Sequence, residues 1–266
     1  MERKTFVIVG CGKLANIVVE ALAKELLLDY KLIGAYSRTF EKAEGVANQI
    51  KALNTDYTCK ACCSIDELLS LKPDYIVETA SPASLKEIAL PALKNGSSIV
   101  TLSIGAFADA DFYETVKKTA AENGTRVHLA SGAIGGFDVL RTVSLMEASA
   151  VTFETKKGPR PLRNTKVYDP VLETETRRVF EGDAIEAIAL FPTQVNVAVA
   201  ASLASIGPEN VKVSIDSLPD YVGDDHRIEI KSEQIHAVID VYSKTAQIAG
   251  WSVVNTLRNI TSPIAF

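Results

Sequence analysis

The sequence predicts an α/β chain in two parts: a doubly wound parallel sheet with helices on both faces, then an α+β part built on an antiparallel sheet. Three observations carry this. As far as Ala130, short apolar runs alternate with segments of helical period, which is how strand–helix–strand units read. A glycine turn, Gly10-Cys11-Gly12, directly follows the first apolar run. Beyond Ala130 several segments alternate apolar and polar residues, the period of half-buried strands.

The elements follow in order. Residues 6–10 form the first strand and 14–28 the first helix. Strands are expected at 32–37, 57–62, 75–78, 98–103 and 126–130, with helices at 40–53, 65–71, 83–95 and 110–123. Gly96 and Gly124 follow two of those helices, where a C-terminal cap is expected. Right-handed crossovers wind such a run into a doubly wound sheet. Ser131-Gly132-Ala133-Ile134-Gly135-Gly136 is a small-residue switch, followed by a helix at 137–148 and a strand at 151–155. A basic Pro/Gly stretch, 156–163, and a polar charged segment to Arg178 come next. An Ala-rich helix at 195–206 precedes strands at 211–215, 226–231 and 235–242. A helix at 244–258 is expected to pack back on the first domain. The domains are therefore placed at 1–132 joined by 243–266, and at 133–242.

Composition narrows the class. A chain of 266 residues has room for two domains and a buried core without disulfides. With 28 basic against 33 acidic residues the net charge is −5, which argues against a nucleic-acid binder. Met1-Glu2-Arg3-Lys4 runs straight into the first strand, a pattern unlike a signal peptide. The longest apolar stretch, 195–206, is too short to span a bilayer. Cys11, Cys59, Cys62 and Cys63 do not form a spaced framework, so a reducing, cytoplasmic setting is expected. Cys59-Lys60-Ala61-Cys62-Cys63 lacks the second ligand pair that zinc needs, and no metal is expected.

Gly10-Cys11-Gly12-Lys13-Leu14-Ala15 sits between a strand and a helix, the context of a dinucleotide-binding (Rossmann) fingerprint. The first glycine allows the tight turn, and the second lets the backbone approach a pyrophosphate. Ala15 allows close helix–strand packing. Gly10, Gly12, Lys13 and Leu14 are the expected phosphate contacts, at a helix N-terminus. NAD sites usually carry an acid at the end of the second strand. Here that end reads Ala35-Tyr36-Ser37-Arg38-Thr39. A guanidinium with a neighbouring hydroxyl suits a 2′-phosphate, so Ser37 and Arg38 point to NADP, or to use of NAD as well. The alternative for Arg38 is an exposed loop arginine. Ala80-Ser81-Pro82 ends the fourth strand, where such folds line the cofactor crevice.

At this point the chain resembles the L-aspartate dehydrogenase family. The matching segments are Gly10-Cys11-Gly12-Lys13, Glu78-Thr79-Ala80-Ser81-Pro82, Ser103-Ile104-Gly105-Ala106-Phe107-Ala108-Asp109 and Ser131-Gly132-Ala133-Ile134-Gly135-Gly136-Phe137-Asp138. Phe191-Pro192 with Asn196-Val197, Asp225-His226-Arg227-Ile228 and Lys244-Thr245 complete the set. The resemblance implies nicotinamide-dependent oxidative deamination of L-aspartate through iminosuccinate to oxaloacetate and ammonia, or the reverse reductive amination. It implies a catalytic histidine at His226, nicotinamide-side contacts at Ala133 and Asn196, and a substrate lysine at Lys157. Asp224-Asp225-His226 and Gln194-Val195-Asn196 depart from the family's usual Asn-x-His and Asn-x-Asn.

The residues support that chemistry independently. Hydride leaves an amino acid's α-carbon readily only when the amine is neutral, so a base must first take a proton. Of the three histidines, His128 and His236 lie in strand patterns and read as structural. His226 lies at a loop–strand junction beside Asp224 and Asp225. From sequence alone it is either a surface histidine in an acidic turn or a general acid/base. A neighbouring carboxylate is expected to orient its ring and raise its pKa. A substrate with two carboxylates needs donors. The Ser131–Gly136 turn, with Ser131 and Gly132 foremost, offers closely spaced N–H groups. Its alternative role is an interdomain hinge. Lys156, Lys157, Arg160 and Arg163 form the densest basic cluster. Asn196 is either a helix cap or a nicotinamide contact. The expected partner is a small amino acid, with neither nucleic acid nor membrane, and the expected assembly is a homodimer or homotetramer. Two other readings stay open: a reductase of this fold acting on another imine, keto acid or amino acid, and a dinucleotide-sensing protein without catalysis.

Overall fold

A computed structural model of the chain describes residues 3–191 and 195–265. Met1, Glu2, Pro192, Thr193, Gln194 and Phe266 lie outside the described residues, and so do the readings placed on Met1-Glu2, Pro192 and Gln194. The backbone divides into two compact units, Met1–Ala130 with Ala249–Phe266, and Ser131–Ile248. Among the described residues no helix is long and apolar enough to cross a membrane.

The first unit alternates strand and helix: β1 (Lys4–Val9), α1 (Lys13–Ala23), β2 (Tyr30–Tyr36), α2 (Phe40–Ala52), β3 (Lys60–Cys62), α3 (Ile65–Ser70), β4 (Tyr75–Glu78), α4 (Pro82–Lys94), β5 (Ser98–Thr101), α5 (Ala110–Glu122) and β6 (Val127–Leu129). The six strands run parallel in the order β3-β2-β1-β4-β5-β6. The order reverses at β1, next to β4, so the carboxyl ends of these strands form the crevice in which open α/β sheets bind ligands. Central strands buried on both faces carry near-continuous apolar runs, and Phe6, Val7, Ile8 and Val9 are all buried. α1 ends at Ala23 rather than at residue 28. Glu25 turns left-handed at φ 57°, and the Leu26 N–H reaches back to the Ala21 carbonyl at 2.9 Å. That six-to-one closure ends the helix and turns Leu27 inward.

A helix late in the sequence completes this unit. α9 (Gln247–Thr261) buries Val253, Val254 and Leu257 in the same core. Gly250 lies so close to α1 that a Cβ there would stand 3.0 Å from the Ile17 Cβ. The buried Tyr30 hydroxyl donates to the Leu257 carbonyl at 2.7 Å.

The second unit holds α6 (Phe137–Met146), β7 (Ala150–Lys157), β8 (Arg177–Asp183), α7 (Ala184–Leu190), α8 (Asn196–Leu203), β9 (Lys212–Ser217), β10 (Asp224–Lys231) and β11 (His236–Ser243). Its sheet runs β11-β10-β7-β9-β8. Three of its pairings are antiparallel, as expected, but β7 and β9 run parallel. A crossover carrying α7 and α8 separates those two strands, and parallel neighbours need such a connection. β8 and α7 are additions to the sequence reading, which left the polar stretch before them without structure. One face of the sheet, with Val151, Phe153, Val213, Ile215, Ile228 and Ile230, is the core. The other carries Glu154, Lys156, Arg227, Glu229, Val238 and Tyr242 toward solvent.

Candidate active site

Two sets of residues stand out, one in each unit. In the first, Gly10 joins three strands. Its N–H donates to the Tyr36 carbonyl at 2.9 Å, and its carbonyl accepts from the Thr79 hydroxyl at 2.8 Å. Gly10 has φ +93°, and a Cβ there would lie 2.6 Å from the Ala80 Cβ. Only glycine fits. Gly12 is different: among the described residues nothing lies within 4 Å of where its Cβ would be. Gly12 also starts α1 without any side-chain cap, and the Asn16 N–H is the first to bond back, to the Gly12 carbonyl at 3.2 Å. The amides of Lys13, Leu14 and Ala15 therefore have no acceptor within the helix. Open space, unspent amides and the positive end of a helix dipole together suit a diphosphate. Ala15 is fully buried beneath them.

At the end of β2, Arg38 is exposed and Ser37 half-buried. Among the described residues neither the Arg38 guanidinium nor the Ser37 hydroxyl has a partner. Ala80 is exposed against Gly10. The Ser81 hydroxyl is committed to capping α4, accepting from the Ser84 N–H at 3.2 Å.

The loop bearing Ala80 and Ser81 is held by a residue the sequence reading quoted but gave no role. Glu78, at the end of β4, is fully buried. Its Oε1 accepts from the Ala80 N–H at 2.8 Å, the Ser81 N–H at 3.0 Å and the Ser103 hydroxyl at 3.0 Å. Its Oε2 accepts from the Thr101 hydroxyl at 2.6 Å. One carboxylate thus ties the ends of β4 and β5 to the wall opposite Gly10. Burial pushes its pKa up, against the pull of those four donors.

In the second unit, His226 is the third residue of β10, not a residue of a preceding loop. Alternation puts Asp224, His226, Ile228 and Ile230 on the core face and Asp225 on the other. Across the sheet His226 pairs with Thr155, and Asp224 with Lys157. Lys157 in turn pairs with Ser217 of β9. A polar corner therefore occupies one end of an apolar sheet face. Four of its residues are buried, with His226 5% exposed, Lys157 4%, Thr155 2% and Ser217 0%, while Asp224 at its edge is partly exposed. The Lys157 Nζ stands 3.5 Å from the Asp224 carboxylate, and the imidazole stacks on Phe153 at 5.7 Å between centroids.

Three atoms of this corner have no hydrogen-bond partner among the described residues: His226 Nδ1, Thr155 Oγ1 and Ser217 Oγ. Each buried unpaired polar group costs about 1–3 kcal/mol, so they mark where a ligand is to be sought. The His226 pKa is lowered to about 4, first by burial and then by the Lys157 ammonium, with Asp224 opposing. This corrects the expected rise: desolvation outweighs the carboxylate. Asp225 is also corrected as an orienting group, since it lies on the opposite face, 3.9 Å from Lys156.

The structure disperses the rest of the basic cluster. Lys156 is on the outer face, and Arg163 is paired with Glu173 at 2.9 Å. Lys157 is not in a basic loop, because β7 extends two residues past the expected end. The Ser131–Gly136 turn lies on the same sheet face: Gly136 has φ +74°, and a Cβ there would lie 2.6 Å from the Ile239 Cγ1. Gly132, at φ +69°, faces open space, and Ser131 and Ala133 are half-buried. Asn196 is the first residue of α8 but not its cap, which is Val195. His128 packs against Tyr75, and His236 pairs with Glu229 at 2.8 Å on the outer face. Burial pushes the Cys11 and Cys62 thiols up to about 11 and Cys59 to about 12, which removes their thiolate reactivity at neutral pH.

Comparison with known proteins agrees across the chain. A family profile described as "Homoserine dehydrogenase, NAD binding domain" matches residues 10–130, and one described as "Aspartate dehydrogenase, C-terminal" matches residues 138–260. An L-aspartate dehydrogenase of Methanococcus maripaludis is 34% identical over 97% of both chains. One from Methanocaldococcus jannaschii is 30% identical, also over 97% of both. Among solved structures, the aspartate dehydrogenase of Thermotoga maritima aligns over 100% of both chains with a TM-score of 0.76 at 29% identity. A hyperthermophilic archaeal homoserine dehydrogenase in complex with NADPH shares the fold, with a TM-score of 0.64 at 15% identity over 99% of this chain and 100% of that one.

Proposed function

The chain belongs to the L-aspartate dehydrogenase family, and from that premise we infer that it oxidises L-aspartate with a nicotinamide dinucleotide. The product is iminosuccinate, which water converts to oxaloacetate and ammonia; reductive amination is the reverse. The observation that carries this reading is the buried His226 beside Lys157 on one sheet face. The bound dinucleotide supplies a hydride acceptor. Gly10, Gly12, Lys13 and Leu14 hold its pyrophosphate, and Ala80 and Ser81 form a wall beside them. Arg38 and Ser37, unpaired, take a 2′-phosphate, which favours NADP while leaving NAD usable. The family resemblance gives Ala133 and Asn196 the nicotinamide end.

His226 is neutral at pH 7, because its pKa of about 4 lies well below. Its ring nitrogen therefore carries a free lone pair that can accept a proton. It takes the proton of the α-ammonium group, so that the nitrogen lone pair can support loss of hydride. It releases that proton to solvent, then takes one from the water that attacks the imine carbon and returns it to the nitrogen that leaves as ammonia. Lys157 and the amides of Ser131 and Gly132 receive substrate carboxylates.

The test is the rise of reduced-cofactor absorbance with L-aspartate, using NADP and NAD in parallel, for the wild type and His226→Ala. Turnover lost in the variant supports the assignment; equal turnover removes His226 from the chemistry. Turnover only with another amino acid moves the substrate.

We also infer a cytoplasmic homodimer or homotetramer. The open outer face of the second unit's sheet supports pairing of subunits there. Light scattering that returns the 28.6 kDa monomer mass would remove this proposal.

A further inference from the structure

We propose that the Thr155 and Ser217 hydroxyls, with the Lys157 ammonium, recognise the side-chain carboxylate of the substrate and so set specificity for a dicarboxylic amino acid. This rests on the reading above, in which the substrate is aspartate. Neither hydroxyl was singled out from sequence.

The hydroxyls of other fully buried residues in this chain find acceptors. Ser97 donates to the Pro73 carbonyl at 2.7 Å, Ser202 to Val199 at 2.9 Å and Thr101 to Glu78 at 2.6 Å. Thr155 and Ser217 are as deeply buried and bond nothing among the described residues. They also share a face with a buried cation. Thr155 and Lys157 are alternate residues of β7, and Ser217 faces Lys157 across the β7–β9 ladder. Cross-strand neighbours on one face stand about 5 Å apart. The ammonium has three N–H donors, and Asp224, at 3.5 Å, is its only partner among the described residues. The remaining ammonium hydrogens can only donate, and each hydroxyl has a hydrogen to donate. A carboxylate offers about four lone-pair sites and no hydrogen. An amide would replace one accepting oxygen by an NH2 that the ammonium cannot receive, and a methyl group would leave the set unpaired. Sites built to hydrogen-bond a group reject analogues lacking it strongly, because buried partners are then left unpaired. The neighbouring residue in the grid is His226, which pairs with Thr155, so recognition of the side chain adjoins the base.

The test uses Thr155→Val, Ser217→Ala and Thr155→Ser, with succinate as the probe. Succinate has both carboxylates but no amine, so its binding is read by thermal shift without turnover. The expected result is that succinate protects the wild type and Thr155→Ser but not Thr155→Val or Ser217→Ala. In the latter two the KM for L-aspartate rises about ten-fold or more, as for loss of a hydrogen bond to a charged group. The KM for the dinucleotide stays unchanged, and the preference for aspartate over asparagine falls. Without ligand, their Tm stays level or rises, because an unpartnered buried hydroxyl is replaced by an apolar isostere; a structural role would lower it. Equal protection of the wild type and both variants overturns the proposal. So does a wild type that oxidises L-aspartate but is not protected by succinate. A wild type protected by succinate that does not oxidise L-aspartate overturns the functional reading instead, and the variants still decide the carboxylate site.

Discussion

Acidification should destabilise this protein through one histidine. An ordinary imidazole titrates near 6.5, and that of His226 at about 4. The native state therefore holds the ring neutral while the unfolded chain takes up a proton. Between those two values the unfolded state binds more protons, so stability falls as the pH is lowered through that window and is flat above it. At about 1.4 kcal/mol per pH unit, the gap from 6.5 to about 4 amounts to about 3–4 kcal/mol. Because the ring is only 5% exposed, solvent screening takes little from this figure. Urea unfolding of the wild type and His226→Phe across this range isolates the term, since the carboxylates common to both proteins cancel. At pH 4.5 the wild type should have lost about 2–3 kcal/mol more than the variant, relative to pH 7. Parallel curves for the two proteins would refute the reasoning. A further arm tests the cause: Lys157→Met removes the like charge and should move the imidazole midpoint upward by NMR, whereas Asp224→Asn should move it down.

Three other outcomes follow from the first unit. Gly10→Ala places a Cβ 2.6 Å from the Ala80 Cβ at φ +93°. It should cost at least about 2 kcal/mol in chemical denaturation and abolish dinucleotide binding by calorimetry. Retained binding would mean that the turn does not hold the phosphates. Arg38→Ala should raise the KM for NADP about 10- to 100-fold, as expected for a lost charge-assisted bond, and leave that for NAD unchanged; an equal change in both sinks the 2′-phosphate role. Glu78→Ala orphans two amides and two hydroxyls and should cost about 3 kcal/mol or more in thermal or urea unfolding. Glu78→Gln keeps an acceptor for the Ala80 and Ser81 amides and should retain most dinucleotide affinity; if it binds no better than Glu78→Ala, the charge rather than the hydrogen bonds is what matters.

Much of the fold was legible because it rests on local rules. The Gly10–Ala15 turn, the alternating units before Ala130 and the return of the late helix all carry short-range signals of spacing and capping. The boundaries failed where tertiary packing overrode them. Helical periodicity runs through Leu26 and Leu27, yet Glu25 turns left-handed so that Leu27 can be buried. β8 was invisible because it is an edge strand with only Phe180 buried. α7, by contrast, carries a signal readable in the sequence, the Asp183–Glu186 capping box. In the candidate site, the sequence names His226 and Lys157 but not the buried face that holds them. Val151, Phe153, Thr155 and Lys157 alternate as one face of a strand, and a threonine and a lysine continuing an apolar stripe were the available sign of a buried polar corner. The sequence could not say which hydroxyls find partners. Glu78 is silent for the same reason, since two of its four donors, Thr101 and Ser103, come from the far end of the next strand and just past it.

The placement of α9 has a consequence for synthesis. The residues that complete the first unit are translated after the whole of Ser131–Ile248, a delay on the order of ten seconds at ordinary elongation rates. Throughout that interval the Ile17 side of α1 lacks Gly250 and the Tyr30 hydroxyl lacks the Leu257 carbonyl. The nascent first unit therefore waits on the ribosome with an apolar groove open, and its final folding step is the arrival of a helix rather than the pairing of a strand.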